Sequence, residues 1–171
     1  ADAFLYGDAT DSGNTKKDTI QGILDLASSS YRIGAVAFMN STQTIATGTE
    51  TKLEMDAERY DPNGDYNTST YLYTVPSGHD GKYLVLGRAG CQALGDGKRL
   101  GLVIYINSAI KEYHYAGHSA ASSAYVSCNG IFDLSASDTI SLYGWHDKGS
   151  NGDWTGNADG YDTLFAVQRI A

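Results

Sequence analysis

The residues of this chain best equipped for chemistry gather near its C-terminus, in residues 145–162, where both tryptophans sit among Asp, Asn and Gly. An indole face stacks on the apolar side of a sugar ring, and carboxylate or amide oxygens bond its hydroxyls. Trp145, His146, Asp147, Asn151, Asp153, Trp154, Asp159 and Tyr161 therefore form a candidate site for a glycan or receptor. The same composition also serves a plain long turn whose tryptophans pack into the edge of a core. Hard oxygen ligands abound as well, and Asp153, Asp159 and Asp162 are the candidates for calcium. Their spacing is not that of the regular acidic calcium loop with its distant Glu. No other cofactor is expected.

The remaining chemistry is sparse. The histidines are His79, His114, His118 and His146, and nothing in their spacing builds a zinc site. His114 and His118 would meet on a helix, yet their surroundings read as strand and loop. No strained nucleophile turn accompanies the many Ser, His and Asp residues, so no catalytic residue is assigned. A carboxylate pair for glycoside cleavage is set by fold geometry. Of the glutamates, Glu50, Glu54 and Glu58 read as a solvated rim, with Glu112 apart. Cys91 and Cys128 lack the close partners a metal needs, which leaves buried free thiols or a disulfide between them.

Charge narrows the partners. A formal net charge of −8, with the few basic residues scattered, argues against nucleic acid and against an anionic membrane surface. No apolar run approaches the roughly 20 residues of a membrane span. No leader pattern is read ahead of Ala1, and the absent initiator Met leaves both processing and a longer parent chain open.

Twenty glycines and 13 tyrosines against two prolines describe many strands joined by polar turns. Leu100, Leu102, Ile104 and Ile106 share one face of a strand, with Gly101, Val103 and Tyr105 on the other, and both faces read as covered. Residues 82–89, 139–145 and 163–170 read as further apolar strands. In 139–145, Ile140 and Leu142 lie on one side and Ser141, Tyr143 and Trp145 on the other. Shorter strands are expected at 33–39, 43–46, 51–55, 71–75, 112–115 and 125–134. Turn signals fall at Asn63-Gly64, His79-Asp80-Gly81, Gly95-Asp96-Gly97, Asn129-Gly130 and Asn151-Gly152. Residues 1–30 stand apart as an N-terminal segment. There Ile20, Ile23, Leu24 and Ala27 share a helical face, Asp18 suits a helix start, and a short helix is expected over 18–27. Residues 31–171 make the main domain.

The order Tyr60-Asp61, Gly64, Tyr66-Asn67, Thr70, Tyr73-Thr74, Pro76, Gly81-Lys82-Tyr83 resembles the signature of the complement C1q and tumour necrosis factor-like jelly roll. Val103 to Asn107 looks like that family's strand ending in an Asn turn. Leu134 to Ile140 looks like its Gly-Asp turn before a late strand, with Ser137 where the family has Gly, and Thr163-Leu164-Phe165 resembles its closing strand. The resemblance covers residues 33–171. Residues 4–20 and 44–49 are similar to bacteriophage structural proteins.

The resemblance implies an all-β, two-sheet antiparallel jelly-roll sandwich that forms a homotrimer packed through aromatic and aliphatic residues of its inner sheet. On this reading the chain is a non-enzymatic virion-surface protein, part of a phage fibre, spike or capsid decoration. Residues 1–30 dock on other virion proteins or trimerise, and the sandwich meets host glycan or receptor. A purely structural decoration protein, a secreted C1q-like binding module and a surface polysaccharide hydrolase are the competing expectations.

Overall fold

The computed structural model describes residues 3–7, 15–19, 33–120 and 122–171, and among them every regular element is a strand. The chain divides into two units, Ala1–Ile33 and Gly34–Ala171. In the first, β1 (Ala3–Gly7) pairs antiparallel with β2 (Thr15–Thr19), Ala3 opposite Thr19 and Gly7 opposite Thr15. The helix expected over 18–27 therefore loses its start: Asp18 and Thr19 belong to β2. β-branched Thr15 and Thr19 suit a strand, and pairing with β1 competes with an isolated three-turn helix that is marginal in water. Residues 20–27, with the apolar helical face, lie outside the described residues.

The second unit runs β3 (Gly34–Phe38), β4 (Gln43–Ile45), β5 (Thr51–Lys52), β6 (Ala57–Tyr60), β7 (Tyr66–Asn67), β8 (Leu72–Thr74), β9 (Gly81–Cys91), β10 (Arg99–Ile106), β11 (Ala109–Gly117), β12 (Ala124–Leu134), β13 (Thr139–His146), β14 (Gly152–Trp154) and β15 (Leu164–Arg169). Sheet I has the order β4-β14-β9-β15-β3-β6, with β12 on the free side of β9; sheet II has β11-β10-β13-β8-β7, with β5 also on β13. All pairings are antiparallel; neighbours in sheet I are distant in sequence, whereas sheet II keeps two hairpins, β7–β8 and β10–β11. This is the expected two-sheet jelly roll.

Alternation decides what lies between the sheets. In β10, Leu100, Leu102, Ile104 and Ile106 point inward opposite His146, Gly144, Leu142 and Ile140 of β13, and all eight are buried. Sheet I contributes Ala35, Ala37, Tyr83, Val85, Ala89, Val126, Cys128, Phe165 and Val167 from its own inner face. Each fully buried Leu, Ile or Phe contributes about 1.5–3 kcal/mol of transfer free energy. Gly87 leaves room for the facing leucines of sheet II: a Cβ there would meet Leu142 Cδ1 at 2.7 Å and Leu102 Cδ2 at 3.1 Å.

One turn signal behaves differently from expectation. Asn129-Gly130 is not a turn but mid-strand in β12, where Gly130 leaves room for the ring of Phe132, whose Cζ would lie 2.5 Å from an added Cβ. The two-residue hairpin between β10 and β11 is Asn107-Ser108, both at positive φ (52° and 63°), the geometry of a type I′ turn.

Ser137, at φ 73° in the β12–β13 connection, occupies the left-handed region that costs a side-chain-bearing residue about 1–2 kcal/mol. Ser137→Gly relieves that strain against a smaller loss in chain entropy, and should raise stability by about 0.5–1 kcal/mol in urea unfolding. A lower midpoint would show that the Ser side chain holds the turn.

Candidate functional site

The structure divides the candidate residues of 145–162 among four places. Trp154 and His146 are both fully buried, their rings 6.5 Å apart between centroids, so neither offers a surface to a ligand. The His146 imidazole bonds the Ile45 carbonyl through Nε2 (3.0 Å) and accepts the Lys148 N–H at Nδ1 (3.3 Å). With Nδ1 accepting, Nε2 carries the proton and donates it to Ile45. Trp154 is buried because β14, a strand missed in the sequence, inserts it beneath sheet I opposite Cys91.

Asp153 and Asn151 lie exposed at the β4–β14 edge, where Asp153 accepts the Thr44 hydroxyl at 2.7 Å. Asp159 and Tyr161 belong to the loop before β15, the Tyr161 hydroxyl donating to Asp159 at 3.1 Å. In the same loop Asp162 accepts from the Asn157 amide and from the Tyr125 hydroxyl. The three calcium candidates thus have separate hydrogen-bonding assignments, and no group of three His, Cys, Asp or Glu able to hold a metal occurs among the described residues. The histidines do not converge either: His114 bonds the Ser127 carbonyl and His118 the Ser122 hydroxyl.

Trp145 and Asp147 remain at the surface, on the outward face of sheet II. Trp145 stands opposite Gly101 in β10, and Gly101 stands opposite Tyr115 in β11. Tyr115 meets Trp145 edge-on at 5.5 Å and lies 4.1 Å from Tyr113; Tyr105 and Tyr143 lie 4.2 Å apart. Beneath these rings Val103 is fully covered. Arg99 closes one end, its guanidinium 5.6 Å from the Trp145 ring and 5.9 Å from Tyr115, while its Nε bonds Asp147 Oδ2 at 2.9 Å. Partial burial pushes the Asp147 carboxyl up, but the Arg99 backbone N–H, side chain and charge outweigh it and hold it below its ordinary range. At the other end Tyr105 donates to Glu50 at 2.5 Å, and this bond, with some burial, pushes the phenol up to about 12. Glu50 was read as part of a solvated rim; it is instead a partner of this aromatic layer. The tyrosines were missed as a group because only strand pairing brings β11 beside β10.

The outward face of sheet I carries an apolar band. Its register sets Tyr60, Val36, Ala166 and Leu86 in one cross-strand row ending on Asn129, and Gln168, Leu84 and Ile131 in the next. Leu86 is 39% exposed and Ile131 60%. Arg88 covers the Tyr125 ring at 5.2 Å, and Lys82 pairs with Asp133 at 2.7 Å. Next to Ile131 opens a cleft of about 400 Å³ lined by Ile106, Asn107, Lys111, Phe132, Leu134 and Asp138.

Cys91 and Cys128 are buried and unbonded. Burial pushes each thiol up to about 11. A thiol is nucleophilic as thiolate, so neither is poised for catalysis.

No helix among the described residues is long and apolar enough to cross a membrane. No family model and no curated protein matches this chain. Solved structures do match in fold. The globular domain of zebrafish complement 1qA superposes with a TM-score of 0.53 at 17% identity, over 79% of this chain and 92% of that one. Eiger TNF from S. frugiperda gives 0.56 at 12%, over 82% and 94%. Murine APRIL gives 0.59 at 11%, over 80% and 99%. The fold is therefore a C1q/TNF-like jelly roll.

Two predictions follow from these groups. The bond from Asn107 Nδ2 to Asp138 (2.7 Å), then that from the Ser135 N–H, hold the Asp138 carboxyl below its ordinary range. A lowered folded-state value stabilises above the unfolded value near 4 and is lost as pH falls through the folded one. Asp138→Ala should therefore cost about 1 kcal/mol or less at pH 7, the carboxylate being only partly shielded from water, and thermal melts should converge with wild type as pH falls below about 4 and through the folded value. Separately, both thiols should resist an aromatic disulfide reagent in the native state and react together in denaturant; rapid native labelling of either would contradict their burial.

Proposed function

We propose that this chain is a homotrimeric, non-enzymatic binding module whose copies associate through the outward face of sheet I. The observation that carries this reading is the pair of cross-strand rows on that face, where Val36, Leu84, Leu86, Ala166 and Ile131 stand in apolar continuity within a polar margin. An apolar patch with charged and amide groups at its rim is the anatomy of a protein–protein interface. The likeness in fold to the C1q and tumour necrosis factor domains supports self-association as a homotrimer. Three copies present each binding surface three times, so weak single contacts gain avidity.

The phage-like character of residues 4–20 and 44–49 supports a finer reading. In it the module stands on a virion surface, residues 1–30 engage neighbouring structural proteins, and the sandwich attaches to host glycan or receptor.

Sedimentation equilibrium tests the core of this proposal. The wild type should sediment with the mass of three chains. Leu86→Asp and Ile131→Asp place a carboxylate in the face and should yield folded single chains with unchanged far-ultraviolet circular dichroism. A wild type that sediments as one chain at micromolar concentration would end the proposal.

A further inference from the structure

We infer that the outward face of sheet II is a stacking platform for an uncharged sugar ring of a glycan, with Tyr115 and Trp145 as its principal contacts. This deepens the binding-module reading and rests on it, but the platform lies on one protomer and on the opposite face of the sandwich from the proposed interface.

The floor of the platform is built for flat aromatic surface. Gly101 stands between Tyr115 and Trp145 in the register, and a Cβ there would come within 2.9 Å of the Tyr113 hydroxyl. The absent side chain lets rings from β11 and β13 close over β10. Val103, the next outward residue of β10, is sealed beneath them. Tyr115 nevertheless remains 57% exposed, an unusual amount of ring for a residue already in contact with Tyr113, Trp145 and Arg99.

Charge selects the occupant. Arg99 is paired with Asp147 through its Nε and through two backbone groups (Arg99 N to Asp147 Oδ1 at 2.6 Å, Asp147 N to the Arg99 carbonyl at 3.1 Å). Glu50 accepts the Tyr105 hydroxyl through one of its oxygens. Lys52, opposite Tyr143 in the register, bonds the Thr70 carbonyl at 3.3 Å, so the charges on this face balance in sign and single out neither a polyanion nor a basic peptide. A chain carrying −8 repels polyanions further. What complements such a surface is a neutral ligand with an apolar C–H face for the rings and hydroxyls along its edge. The carboxylates of Asp147 and Glu50 and the tyrosine hydroxyls can bond those hydroxyls, and a pyranose has both features. Short polar side chains of a protein partner would leave the rings half-covered.

The test is affinity electrophoresis of the intact chain in native gels containing laminarin, mannan, galactomannan or hydroxyethyl cellulose, with alginate and heparin as anionic comparators. At least one neutral polysaccharide should retard the wild type. Tyr115→Ala should weaken that retardation about tenfold or more, as loss of a central aromatic contact does. Tyr115→Phe, which keeps the ring, should stay within about threefold. Ligand should also shift the fluorescence of Trp145, because Trp154 is buried. No retardation by any neutral polysaccharide overturns the inference, as does retardation by the anionic ones alone, or a Tyr115→Ala variant that binds unchanged. Capture of a protein partner through Tyr115 without glycan binding overturns it too. Light scattering on the same samples separates this from the trimer proposal: binding lost at unchanged mass bears on the platform alone, and mass lost with binding retained bears on the interface alone.

Discussion

Both faces of this domain depend on how closely its two sheets approach at the centre. Gly87 on β9 faces Leu102 and Leu142 across the interior, and the leucine methyl groups occupy the space a side chain would take. Interiors packed to crystal-like density transmit any added volume outward. A methyl group at Gly87 would push β9 away from β10 and β13, and those strands carry the apolar rows of one face and the aromatic layer of the other. The inner residues thus fix the outer surfaces by setting how the strands lie.

Much of the fold was legible because its central strands alternate strongly. Leu100 to Ile106 announced an inward and an outward set, and β13 repeated the pattern with Ser141, Tyr143 and Trp145 outward. The strands of the second unit that escaped notice, β6, β7 and β14, have two to four residues each and no such period. β6 is an edge strand whose Glu58, Arg59 and Tyr60 are all exposed, so burial left no mark on its composition.

The candidate site was harder to read, for a related reason. Residues 145–162 look uniformly polar, and that polarity hides a three-residue strand that buries Trp154 and a strand end that buries His146. Composition identified aromatic and acidic residues without revealing which side of the chain each would occupy. Tyr113 and Tyr115 carried no signal as partners of Trp145, since the contact exists only after β10 has paired with both β11 and β13. Asn129-Gly130 misled in the opposite sense: a dipeptide that favours hairpins was used here to admit the Phe132 ring within a strand.

The free cysteines have a consequence for what holds the inner layer together. Cys91 and Cys128 lie in the inner layer on β9 and β12, which hold each other along eleven paired positions by main-chain hydrogen bonding and side-chain packing. No covalent cross-link between them takes part in that cohesion. The cohesion of β9 with β12 therefore draws on main-chain bonding and packing, with both thiols buried in that layer.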